Sequence, residues 1–157
     1  MRLKGDDSAL ESIPLRLMII ALVVSMSIIP ASEALGTLRN GDFIRRAEAQ
    51  LEVIVSTAEV LAIEGPGGTR TVELDFSSDG SLRFKCMIIG DSTDGPNASA
   101  VVLILSNGGK LVRSADNPPV VMNTNGSSGL YIDSPWCCLR LSCEMADTCF
   151  RVIVESV

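Results

Sequence analysis

The residue pattern predicts an α+β fold: a long N-terminal helix, apolar and then amphipathic, packed on a small antiparallel β-sheet or β-sandwich head. Three features lead there. Leu15 to Ala31 form one apolar block, residues 42–62 repeat apolar side chains at helical spacing, and beyond Gly68 the period falls to two as β-branched residues take over. A chain of 157 residues holds one domain plus an anchoring segment. The divisions expected are 1–5 as a leader peptide, 6–35 as a hydrophobic membrane or assembly helix, 36–64 as an amphipathic helix, and 65–157 as a β-rich extracytoplasmic head.

The first block, LRLMIIALVVSMSIIPA, carries one charge, Arg16, and falls a little short of the roughly 20 residues that cross a bilayer comfortably. Extending it to Ala34 and Leu35 supplies the length, with Arg16 snorkelling to the surface. Hydrophobic residues make up 46% of the chain but aromatics only 4%, so the apolar content is aliphatic, as a membrane segment's is. Three readings compete: a retained anchor, a secretory signal removed after Ala34, and a buried core helix. The leader, with Asp6, Asp7 and Glu11 ahead of the apolar run, is longer and more acidic than a secretory signal's basic start.

Asn40-Gly41 is a point where the helix can break, after which Asp42 can cap a second stretch. Ile44, Ala47, Leu51, Ile54, Val55, Ala58, Leu61 and Ala62 then form one apolar stripe, opposite Arg45, Arg46, Glu48, Gln50, Glu52 and Glu59. Gly65-Pro66-Gly67-Gly68 ends the helix. Strands are expected at 71–76, 82–89, 100–105, 110–113, 120–122, 130–132, 137–143 and 150–155, with hairpin turns at Ser77-Ser78-Asp79-Gly80 and Asn107-Gly108-Gly109. Ser134-Pro135-Trp136 should start a strand with its ring in the core.

Composition excludes several functions. With a net charge of −6 and no basic stripe, nucleic acid is not an expected partner. With His 0, the common general base and the usual triads are missing, and no enzyme activity is expected. The Gly65 to Gly68 run leads from helix to strand and so presents no helix N-terminus to a phosphate. The Asp91 to Asn97 loop lacks the alternating oxygen ligands of a calcium loop, and Cys-Cys-x4-Cys-x5-Cys lacks paired zinc knuckles. No cofactor or metal is expected.

Cys86, Cys137, Cys138, Cys143 and Cys149 all lie in the head region and are disulfide candidates. A hairpin of 136–142 with 149–155 could bring Cys143 to Cys149, while Cys86 pairs with Cys137 or Cys138; five is odd, so one thiol stays unpaired. Sequons at Asn97 and Asn125 are glycosylation candidates in turn-like sequence. Cysteines and sequons together point to an extracytoplasmic head.

Lys4-Gly5, a short polar stretch containing Glu11, and then an apolar helix resemble the class III signal peptides of type IV pilins and archaeal pilin-like proteins. The resemblance implies cleavage between Gly5 and Asp6, and an assembly role for Glu11 in pairing with a neighbour's new amino group. It further implies a cell-surface protein anchored in the lipid bilayer, with pilin-like subunits as partners in a homo-oligomer, acting in filament assembly or adhesion. The plan is similar also to the archaellum's membrane-anchored accessory proteins, whose implied partner is the surface layer and which need not polymerise. Mass spectrometry of the mature N-terminus separates the readings: Asp6 is expected from pilin-type processing, Leu35 from a removed secretory signal, and Met1 from an uncleaved anchor.

Overall fold

A computed structural model describes residues 7–92, 95–124, 128–146 and 149–157, with the side chains at 7–13, 29–30, 146 and 149 outside the description. Helix α1 (Asp7–Glu64) is followed by β1 (Thr69–Asp75), β2 (Phe84–Ile89), β3 (Ala100–Leu105), β4 (Lys110–Ser114), β5 (Val121–Asn123), β6 (Leu130–Ile132), β7 (Trp136–Ala146) and β8 (Cys149–Ser156). The chain divides into two units, Met1–Arg39 and Asn40–Val157.

In the second unit the strands form two four-stranded sheets, ordered β1-β7-β8-β5 and β4-β3-β2-β6. All pairs are antiparallel except β5 with β8. The inner faces alternate as a half-buried strand must. Val72 and Leu74 of β1, Leu139 and Leu141 of β7, and Met87, Leu103 and Leu105 of the other sheet belong to one core with Phe43, Ala47, Leu51, Ile54, Ala58 and Leu61 of the helix. The stripe foreseen from spacing is therefore the helix's buried face, with Phe43 fully buried and Ile44 only packed against its margin.

The helix does more than fill the core, because its polar flanks meet an edge strand of each sheet. Gln50 Nε2 donates to the Asp75 carbonyl at 2.6 Å while the Asp75 N–H donates to Gln50 Oε1 at 2.7 Å. One side-chain amide thus satisfies both backbone groups at an open strand edge. On the other sheet's edge strand, β4, Arg113 pairs with Glu48 at 3.2 Å and approaches Glu52 at 3.9 Å. Across the sheets from the helix, the closure is backbone on backbone. Gly90 has φ +68, and a Cβ there would lie 1.6 Å from the Met122 carbonyl oxygen, so only glycine fits.

Three local expectations are corrected. No break occurs at Asn40-Gly41, where α1 is continuous. Asn40 Oδ1 accepts from Leu82 N–H at 3.1 Å and its Nδ2 donates to Ser81 at 3.1 Å, so this side chain ties the helix to the head instead of ending it. Asp42 pairs with Arg45 inside the helix and caps nothing. Ser77 to Gly80 does not close a hairpin, since β1 pairs with β7 and the segment crosses from one sheet to the other. The β3–β4 turn at Asn107 to Gly109 and the β7–β8 hairpin form as expected. Gly65 ends the helix in the left-handed region at φ 86, its N–H bonded to the Leu61 carbonyl at 3.0 Å.

Leu51→Ala should cost about 2–5 kcal/mol of unfolding free energy by urea titration, as removal of a fully buried leucine side chain does. Ile63→Ala, at a 73% exposed helix position, should stay within about 0.5 kcal/mol. Gly90→Ala should destabilise more than Gly108→Ala in the β3–β4 turn, because a methyl group at Gly90 collides with backbone and one at Gly108 meets nothing within 4 Å.

Candidate functional site

Two surfaces stand out, one in each unit. In the first unit every described side chain from Pro14 to Ile28 is exposed. Leu15, Leu17, Met18, Ile19, Ile20 and Leu22 lie between 55% and 71% exposed, all round the helix and not along one stripe. A helix apolar on all sides needs an apolar surrounding. Residues 15–35 rise about 31 Å, matching a hydrocarbon core of about 30 Å. The helix is long and apolar enough to cross a membrane. Its hydroxyls are satisfied within it: Ser25 Oγ donates to the Ala21 carbonyl at 2.6 Å, Ser27 to Val23 at 2.8 Å and Thr37 to Glu33 at 3.0 Å. Such back-bonding lets serine sit in a hydrocarbon setting without an orphaned donor.

Of the processing residues, Lys4, Gly5 and Asp6 lie outside the described residues; Glu11 lies in α1, its side chain outside the description. Asn97 is exposed in a turn; Asn125 lies outside the described residues.

The cysteines do not pair as the spacing suggested. Cys86, Cys137, Cys138 and Cys143 are free thiols. In the β7–β8 register Cys143 stands opposite Val152 and Cys149 opposite Ala146, so the hairpin does not bring Cys143 and Cys149 together. A register shift between Phe84 and Cys86 turns Cys86 away from the core that Met87 enters. Cys137 points into that core from the other sheet and Cys138 points outward, so neither meets Cys86. Burial raises the Cys137 and Cys143 thiols, with a smaller push from Cys138 and Glu144 respectively.

The second surface was missed in the sequence. Trp136 is 61% exposed, not in the core, and Tyr131 is 62% exposed. Parity explains it: Cys137, Leu139, Leu141 and Cys143 face inward along β7, so Trp136 joins Cys138 and Arg140 on the outer face. That alternation was readable, had the cysteines been counted as core residues. The two rings flank a shallow cleft of about 240 Å³ where β6 passes to β7, lined also by Asp133, Ser134 and Cys138. Tyr131 is hydrogen-bonded to Cys86, which raises its phenol, with Cys86 charge, desolvation and Asp133 adding to the shift. Opposite Trp136, Asp75 accepts from the Ser77 N–H at 2.8 Å. That bond and the Ser77 hydroxyl hold the carboxyl below its ordinary value, aided by the Arg46 charge.

Compared with protein-family models, curated proteins and solved structures, the chain matches none. Among the described residues no group of three or more His, Cys, Asp or Glu is placed to hold a metal.

Two outcomes follow. Alkylation of the native protein, mapped by peptide mass spectrometry, should label Cys138 first and Cys86, Cys137 and Cys143 only on unfolding. Asp75, with its folded value lowered, contributes stability that is complete above the ordinary aspartate range and is lost as pH falls through the lowered value. Asp75→Asn should therefore flatten the acid limb of a stability–pH curve measured by urea titration.

Proposed function

We propose that this chain is a membrane-anchored, pilin-like cell-surface protein that works in filament assembly or adhesion through protein contacts. The supporting observation is the helix segment from Leu15 to Ile28, apolar and exposed on every side, while the head has a core of its own. A surface of that size has no place in water. It belongs in lipid or among the same segments of neighbouring copies. The Lys4-Gly5 leader and Glu11 favour neighbours, because they provide a processing site and an acidic group for a new amino terminus. The head lies outside the cell in this reading, a side favoured by the exposed Asn97 sequon.

A second reading rests on Pro14 and Arg16. Both are exposed on the helix where close side-by-side packing would need apolar side chains, and a charge buried there without a partner is costly. In this reading the chain is a non-polymerising single-pass protein whose β-head binds an envelope or surface-layer component, with Arg16 at the lipid headgroups. Removal of the segment as a secretory signal near Ala34 gives a soluble product, which fractionation detects directly.

Electron microscopy of native material separates them: filaments are expected from the first reading and single detergent-solubilised particles from the second. Deleting residues 1–39 should move the protein from the membrane fraction to the soluble fraction with the urea midpoint of the head unchanged. A full-length chain that is monomeric and soluble without detergent would overturn both anchored readings.

A further inference from the structure

We infer that the cleft between β6 and β7 is a recognition site for one cationic side chain, the ammonium of a lysine or the guanidinium of an arginine on a protein partner. Tyr131 and Trp136 are the only tyrosine and the only tryptophan in the chain, and the fold leaves both largely in solvent at the same cleft. Large aromatic rings bury well, so two of them kept exposed beside one another form a surface with something to cover it. At about 240 Å³ the cleft is smaller than the roughly 300 Å³ at which clefts for drug-sized ligands begin, and suits a single side-chain head group.

Its charge selects the ligand. Asp133 lines the cleft, Asp75 stands directly opposite Trp136, and Glu73 stands directly opposite Cys138 on the same outer face. Among the described residues no lysine or arginine lines it. Arg46 acts on Asp75 from the helix and Arg140 shares the outer face of β7 beyond Cys138, so Asp133 is the carboxylate that lines the cleft itself. Ser134 Oγ donates to the Trp136 carbonyl at 2.7 Å, and the Ser156 hydroxyl lines the cleft beside it. The two exposed ring faces and the Asp133 carboxylate are the groups of the cleft that attract positive charge. The assignment rests on the reading that the head works through protein contacts, and it names the chemistry of that contact. It stands whether or not the protein polymerises.

The single tryptophan makes the test direct. The full chain in a nonionic polyoxyethylene detergent is titrated with butylammonium, with butylguanidinium, with neutral butanol, with methyl glucoside and with a capped Gly-Lys-Gly peptide, following indole emission. The two cations and the peptide should give saturable changes with half-saturation in the millimolar range, weakened by added salt. Tyr131→Leu and Asp133→Asn should each weaken binding about two- to fivefold, the range expected of one exposed ring or one exposed charge. Tyr131→Phe, which keeps the ring, should restore it. Equal urea midpoints show that each variant is folded. A saturable response to methyl glucoside but not to the cations would overturn the proposal. So would binding of the free amines with exclusion of the peptide, which assigns the cleft to a small amine, or no response at all. Absence of filaments under the microscope would count against polymerisation and leave these titrations intact.

Discussion

The second unit depends on one face of one helix. Phe43, Ala47, Leu51, Ile54, Ala58 and Leu61 recur so that a single stripe joins one core with the inner faces of both sheets. The polar residues bordering the stripe fix its position. Gln50 occupies the open edge of β1 and Glu48 with Glu52 reaches β4, so the helix meets one edge strand of each sheet. Exposed ion pairs contribute little each, whereas a side-chain amide that satisfies two backbone groups spares the cost of leaving them orphaned.

That arrangement gives the long helix two different physical lives. From Asn40 onward its side chains answer to the head, as Asn40 itself does through Ser81 and Leu82. Before that point the exposed leucines, isoleucines and valines answer to nothing within the unit, and the serines turn their hydroxyls back onto their own helix. Sequence period alone distinguishes the halves: a stripe where there is a core to meet, and apolar residues on every side where there is not.

Much of the fold was legible for this reason. The stripe, the end at Gly65, the positions of the strands and the β3–β4 turn all follow from local periodicity and turn chemistry. What was not legible was pairing over distance. Ser77 to Gly80 looks like a hairpin turn because its residues suit one, yet nothing local tells β1 that its partner is β7. Asn40 and Gly41 look like a stop signal because the contact that keeps them helical lies about forty residues on, at Ser81. The site was the least legible part. Trp136 at the start of a strand looks like a core ring, whereas its direction is set by the parity of the cysteines and leucines that follow it. Composition alone allows Cys86 to meet Cys137 or Cys138 from another strand, whereas one irregularity in β2 decides which way it faces.

The β1–β7 pairing also sets the order in which the head can be completed. Thr69 meets Ser142 and Asp75 meets Trp136, so the first strand made waits for nearly the whole domain before its partner exists, and β8, last of all, must then join β7 and receive β5. Such long closures make folding slow relative to a helical bundle and leave the helix stripe uncovered while the strands are still being synthesised. In the anchored reading, an apolar segment already lodged in a membrane would hold that stripe apart from other growing chains during the interval.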